Sequence, residues 1–198
     1  MGIIGKICLD TIILILFYKT PLKLGLLVTF FLILVFVASD QASSSLFKPL
    51  FERFRPTHHP DFMNQVDIIN GYRGGRFGFI SGHATNSFGL AVFLSLSFKY
   101  RWLTIISLFW ATLNSYTRIY LGVHFISDII AGILVGTLLA IIFYSVLILV
   151  KKPLLKTTSE ISNKVIYSTN NGKILSIFIL IYIIMLVCFS SLLSTLPH

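Results

Sequence analysis

Long apolar runs with almost no charge constrain this chain more than any other feature. Leu24–Ala38, Phe79–Phe98, Trp102–Tyr116, Ile119–Val150 and Ile174–Leu196 are such runs, separated by polar connections. A helix needs ~20 predominantly apolar residues to cross the hydrocarbon core of a bilayer. Inside lipid the backbone must satisfy its own hydrogen bonds, so runs of this kind are read as helices. Composition agrees: 56% of the 198 residues are hydrophobic, 12% are charged, and the mean hydropathy is +0.88. An ordinary soluble domain carries roughly 25% charged residues. A disordered chain, a disulfide scaffold and most soluble folds are thereby excluded. The expectation is an all-α polytopic integral membrane helical bundle of about six transmembrane helices, forming a single domain over 1–198.

Ile3–Tyr18 is the first candidate span. It is short and carries Lys6 and Asp10, so an interfacial or re-entrant helix is the alternative. The start does not read as a signal peptide, for it has an interrupting Asp10 and no small-residue cleavage site. Lys6 stands where a myristoylation motif needs Ser or Thr. Leu24–Ala38 is expected to continue helically toward Leu46. Residues 48–78, rich in Pro, Gly and Arg, read as a loop with at most a short helix. From His124 to Val150 a helix would run ~40 Å, so it tilts or projects from the membrane. Cys8 and Cys188 both fall in apolar stretches and read as buried, inert thiols. Gly132 and Gly136 match a small-xxx-small pattern, read as close helix packing and not as a dimer signal.

The net charge is +9, from 16 Lys+Arg against 7 Asp+Glu. The basic residues sit between apolar runs, so they are assigned to topology and lipid headgroups and not to nucleic acid. The connections 19–23, 99–101 and 151–173 hold nine: Lys19, Lys23, Lys99, Arg101, Lys151, Lys152, Lys156, Lys164 and Lys173. The alternate connections, 48–78 and 117–123, hold six: Lys48, Arg53, Arg55, Arg73, Arg76 and Arg118. The positive-inside rule puts the first group in the cytoplasm. The segment 48–78, the polar start of the third span and the His124 end of the fifth then share the opposite face.

On that face three segments carry ionisable residues at or near membrane depth, where function is the default expectation. They are Lys48 through Arg55-Pro56, Ser81-Gly82-His83, and Arg118 followed by His124 and Asp128. His124 and Asp128 are spaced i, i+4 and share a helix face. The carboxylate can orient the ring and leave its other nitrogen free to attack. Ser81-Gly82-His83 opens a helix, where unpaired N–H groups favour an anion. Lys48, Arg55 and Arg118 add positive charge, and arginine's planar fork suits phosphate oxygens. Together these groups suit a phosphoryl group. Arg53, Arg73 and Arg76 lie outside these spacings and are read as headgroup-facing or solvated. Arg73 and Arg76 flank Gly74-Gly75, and a mobile loop reading substrate phosphates is their alternative role. His58-His59 reads as loop surface, and Asp40 as a loose partner for Lys48 or Arg55.

At these residues the chain resembles the type 2 phosphatidic acid phosphatase superfamily, whose pattern is K-x6-RP, then PSGH, then SR-x5-H-x3-D. Lys48 and Arg55-Pro56 match the first motif in full. Ile80-Ser81-Gly82-His83 matches the second with Ile in place of Pro. Thr117-Arg118, His124 and Asp128 match the third with Thr in place of Ser. The resemblance covers about residues 40–150. It implies that His124 forms a phosphohistidine, that His83 acts as acid and then base, and that Asp128 orients His124. It also implies that Lys48, Arg55, Ser81, Gly82 and Arg118 bind phosphate, with no metal and no cofactor. The sequence has no paired-carboxylate cluster suited to Mg2+ and no HExxH or Cys/His set.

The implied activity is a lipid phosphatase of the bacterial inner membrane with its site facing the periplasm. Its substrate would be a phospholipid or polyprenyl phosphate, with undecaprenyl diphosphate as the first expectation. Lipid A and phosphatidylglycerol phosphate are the alternatives with the same mechanism. A non-enzymatic anion or lipid transporter would explain the arginines but not two histidines at motif positions. A vanadate-dependent haloperoxidase shares the motifs but is soluble.

Overall fold

The computed structural model describes residues 3–154 and 166–189, with side chains from Asp10 onward. Helices α1 (Ile3–Phe17), α2 (Leu22–Gln41), α3 (Lys48–Phe51), α4 (Gly82–Phe98), α5 (Arg101–Tyr120), α6 (Ile126–Leu154) and α7 (Thr169–Cys188) make an all-α bundle. The run Leu22–Phe51, α6 and α7 are each long and apolar enough to cross a membrane. The chain is an integral membrane protein. Helices α1, α4 and α5 complete the bundle, and α4 and α5 carry buried serines that break their apolar runs. Much of the basic connection 151–173 lies outside the described residues.

Helix α2 shows why the bundle needs lipid. Val28, Leu32, Val35 and Ser39 recur at helical spacing and are buried. The opposite face exposes Leu26, Phe30, Ile33 and Phe36. Helix α6 likewise exposes Ile130, Leu134, Leu138 and Leu149. A helix apolar on both faces is suited to protein on one side and acyl chains on the other. Cys188 is exposed at the end of α7, not buried as expected: the helix end carries it past its packed neighbours. Cys8 lies outside the described side chains.

The packed apolar core of the bundle lies away from the motif residues. Ile15, Val28, Phe31, Phe93, Phe98, Leu147, Leu175 and Ile179 belong to the apolar core, where Tyr167 stacks on Phe98 with ring centroids 4.3 Å apart. Toward the other end α4 and α6 close together through glycine. A Cβ on Gly132 would sit 2.8 Å from the carbonyl oxygen of Ser81, and one on Gly136 would collide with that of Thr85. The small-xxx-small pair therefore packs inside the chain, as the sequence suggests. Asn114 of α5 donates to the Ser87 hydroxyl of α4.

Three departures from the expected spans matter for the site. Helix α2 ends in a π-helical turn, Ala42–Phe47, where Ser43 and Ser44 donate to the Asp40 carbonyl at 3.0 and 2.6 Å. The turn leads directly into α3, so Lys48 rides on the continuation of α2. Helix α5 runs on to Tyr120, and α6 starts only at Ile126. Gly122, at φ +65°, makes the break; apolar Leu121 and Val123 hide it from hydropathy. The stretch 52–81 is a loop with short 3-10 turns at Pro56–His58 and Ile69–Gly71. An antiparallel bridge between Phe54 and Phe77 folds it back on itself.

Candidate active site

The loop return brings the first motif against the third. Arg55 N–H donates to the Arg76 carbonyl at 3.2 Å, and Gly78 N–H to the Arg53 carbonyl at 2.9 Å. Side chains alternate about an extended segment, so Arg53 and Arg55 leave it on the same side. Both reach the His124–Asp128 pair.

Asp128 lies in the first turn of α6 and is fully buried. Its Oδ2 accepts from Phe125 N–H at 3.0 Å, the carboxylate half of a capping box. The same oxygen lies 3.4 Å from Nδ1 of His124. The other ring nitrogen, Nε2, lies 2.8 Å from Nη1 of Arg55, which also donates to the Val123 carbonyl at 3.0 Å. A guanidinium has only donors. Nε2 must therefore accept, and the ring proton is assigned to Nδ1, facing Asp128. His124 is a neutral imidazole with its lone pair directed toward Arg55. Burial, the first cause, holds its pKa below the ordinary histidine value; Arg55 and Lys48 add to this, and Asp128 opposes it.

The second motif meets the third through the backbone: Ser81 N–H donates to the Asp128 carbonyl at 3.1 Å. Ser81 is the N-cap of α4, its hydroxyl accepting from Ala84 N–H at 3.5 Å. Its side chain is buried in the role of a cap. Gly82 leaves room for the π-helical turn and α3: a Cβ there would stand 2.8 Å from Ser43 Oγ and 4.0 Å from Lys48 Nζ. His83 is exposed at the mouth, and Arg118, His124, Arg55 and Lys48 are its electrostatic neighbours. Arg118 is steadied by Thr117, whose hydroxyl accepts from Nε at 3.0 Å, and Tyr72 is among its electrostatic neighbours. All eight residues singled out by the motifs are thus drawn to one end of the bundle. Among the described residues, the buried Nε of Arg55 has no hydrogen-bond partner. A donor left over beside three other cations fits an anion's oxygen.

Other expectations are corrected. Arg53 does not face headgroups: its Nη1 lies 3.0 Å from Oδ1 of Asp128 and 2.7 Å from the Ser127 hydroxyl. Arg73 donates to the Thr57 carbonyl at 3.3 Å, and the Arg76 guanidinium lies 5.1 Å from the Phe54 ring centroid. Both are exposed, in keeping with the solvated reading, and both brace the loop. Asp40 acts on Lys48 only as a neighbouring charge. Gly78 is a site residue that no motif marks, since a Cβ there would come 3.2 Å from Asp128 Oδ2 and 3.1 Å from Arg55 Cγ. Among the described residues, no group of three or more His, Cys, Asp or Glu is placed to hold a metal ion.

The family model of the PAP2 superfamily matches residues 24–152, which include every motif residue. A lipid A 4'-phosphatase of Porphyromonas gingivalis is 41% identical over 178 residues, covering 88% of this chain and 74% of that protein. A lipid A 4'-phosphatase of Bacteroides thetaiotaomicron is 48% identical over 107 residues, covering 54% of this chain and 48% of that protein. No solved structure matches. The chain is an integral membrane phosphatase and belongs to the PAP2 superfamily.

Proposed function

We propose that this protein removes the 4'-phosphate of lipid A by way of a phosphohistidine on His124. The observation that carries the substrate is the 41% identity, over 178 residues, to a lipid A 4'-phosphatase. That likeness favours lipid A over the undecaprenyl diphosphate expected from the sequence. Phosphatidylglycerol phosphate has no comparable support.

The chemistry follows from the assigned protons. Nε2 of His124 attacks phosphorus while the bond from phosphorus to the sugar oxygen breaks. His83 gives its proton to that oxygen, and the dephosphorylated lipid leaves. Water then attacks the phosphohistidine; His83 takes its proton, and the phosphorus–nitrogen bond breaks to release inorganic phosphate. Asp128 accepts from Nδ1 and stabilises the charged ring. Lys48, Arg55, Arg118 and the N-terminal N–H groups of α4, with Ser81 and Gly82, stabilise the charge on the phosphoryl oxygens. Neither step calls for a metal. The charge bias of the connections supports a site open to the periplasmic side of the inner membrane.

The test is phosphate release by purified protein in detergent from lipid A, undecaprenyl diphosphate and phosphatidylglycerol phosphate. Lipid A is expected to react fastest and to lose one phosphate, at the 4' position by mass spectrometry. A faster reaction with either other lipid reassigns the substrate. Release from none of them, by folded protein, favours transport over hydrolysis.

A further inference from the structure

Outside the motif residues, the most tightly engaged charged group near the site is Arg53. Its Nη1 touches both Asp128 Oδ1 and Ser127 Oγ, and its guanidinium carbon lies 4.5 Å from the centroid of the Phe125 ring. Its carbonyl accepts from Gly78 N–H. Ser127, Asp128 and Phe125 all belong to the turn that starts α6, so one side chain binds the first-motif segment to the base of the third.

We propose that Arg53 is a positioning residue, which acts on His124 by holding the far oxygen of the Asp128 carboxylate. The inference rests on the reading of His124 as nucleophile. Four side chains stand in a row: Arg55 on Nε2 of His124, Nδ1 of His124 on Oδ2 of Asp128, and Oδ1 of Asp128 on Arg53. The two arginines grip the histidine–carboxylate pair from its two ends.

The physical need for Arg53 comes from burial. The Asp128 side chain is 0% exposed, and a buried carboxylate requires partners for both oxygens. Oδ2 has Phe125 N–H and His124, whereas Oδ1 has Arg53. Without that contact the carboxylate can turn about its terminal torsion, which is soft, and Nδ1 loses its fixed acceptor. Arg53 also places a positive charge behind Asp128, 3.0 Å from Oδ1. A cation on the far side of Asp128 weakens the carboxylate's hold on the ring proton. The Arg53 side chain is 39% exposed, so solvent reduces this influence without removing it. His124 faces Asp128 from α6, Arg55 from the loop, Lys48 from α3 and His83 from α4; when Arg53 is replaced only the Asp128 carboxylate is freed to turn, and it keeps its charge beside the ring.

The experiment uses the full chain in detergent with Arg53→Gln and Arg53→Lys. For turnover, Arg53→Gln is expected to lower kcat on lipid A roughly 10–100-fold, the usual loss for a group that orients another, with KM unchanged. The acid limb of kcat/KM moves to higher pH, because losing a cation favours the protonated ring. Arg53→Lys keeps the charge; it holds the limb near its wild-type position and restores part of kcat. Independently of any lipid, the His124 ring is titrated by NMR in protein labelled with 15N-histidine, and its midpoint rises in Arg53→Gln. A KM increase with kcat intact would make Arg53 a substrate contact. An unmoved His124 midpoint in folded Arg53→Gln would overturn the proposal. Should Arg53→Gln not fold, the proposal falls unless Arg53→Lys folds with the His124 midpoint kept and kcat reduced. Wild-type protein that releases no phosphate refutes the lipid A reading alone, since the NMR titration still decides the role of Arg53.

Discussion

The backbone N–H of Ser81 donates to the carbonyl of Asp128 over 3.1 Å. This bond joins the cap of α4 to the first turn of α6 and places two helix N-termini side by side. The glycines below it make the approach possible. Gly132 faces the Ser81 carbonyl and Gly136 faces that of Thr85, so backbone meets backbone with no side chain between. Both helix starts then contribute positive dipole ends to the same end of the bundle, where Lys48, Arg55 and Arg118 already concentrate charge. The site is a consequence of how α4 and α6 pack.

That packing is directly testable. Gly136→Ala puts a methyl group against the Thr85 carbonyl, a backbone atom that cannot turn aside. The expected loss is about 1–3 kcal/mol, the usual cost of overpacking, read as a lower unfolding midpoint in detergent. The pair packs within one chain, so the oligomeric state by size exclusion should not change. A variant as stable as wild type would mean that α4 and α6 stand further apart.

His124→Ala should lower turnover on the order of 10³-fold or more while the protein still folds and inserts, since removing a nucleophile removes its whole route. Phosphate release per folded molecule is the measurement. Retention of more than a few per cent of wild-type activity, taken here as roughly the scale of a lost acid–base contribution, would reassign the nucleophile.

The motif residues were legible in the sequence because an apolar chain makes each charge conspicuous. Lys48, Arg55, Arg118, His124 and Asp128 stand out against lipid-facing runs, and the helical i, i+4 spacing of the last two survives in the structure. Arg53 was not legible. It sits in an arginine-rich loop where one charge looks like the next, and its contact with Asp128 spans 75 positions of sequence. Gly78 was hidden for a similar reason: a loop glycine carries no signal until Arg55 and Asp128 crowd it. Hydropathy placed the spans but not their ends. It ran Ile119 into α6 because Leu121 and Val123 are apolar, although Gly122 breaks the chain there. The π-helical turn before Lys48 leaves no mark on a hydropathy scale either.

The pH dependence follows from His124. The nucleophile must be neutral, and burial holds its pKa below the ordinary value of about 6.5. Activity therefore rises with pH through a limb centred below that value. Asp128 favours the protonated ring. Asp128→Asn should consequently move the acid limb to still lower pH while reducing the maximum on the order of 10⁴-fold, as loss of the orienting carboxylate does in serine proteases. A limb above the ordinary histidine value in the wild type, or an upward move in Asp128→Asn, would contradict this assignment.

Inhibition separates this mechanism from one assisted by a metal ion. Vanadate adopts the five-coordinate geometry of the attacked phosphorus and should compete with substrate at the cations around His124. EDTA should leave the rate unchanged. Activity lost in EDTA and restored by Mg2+ would require a metal among the phosphate-binding groups.

The side of the membrane is tested by thiol labelling. The connections 19–23, 99–101 and 151–173 carry nine Lys and Arg, against six in 48–78 and 117–123. Three of those six are Lys48, Arg55 and Arg118, which the site accounts for, and Arg53 is engaged with Asp128. The charges left to act as topology signals favour a cytoplasmic location for the first group more strongly than the raw count. Asn64, exposed in the loop beside the site, is then periplasmic, and Ser159 cytoplasmic. Cys188 is exposed, so it and Cys8 are first replaced by Ser. In intact cells an impermeant maleimide should label Asn64→Cys and spare Ser159→Cys until the membrane is opened. The reverse pattern would place the site in the cytoplasm, where its substrate would have to be a lipid of the inner leaflet.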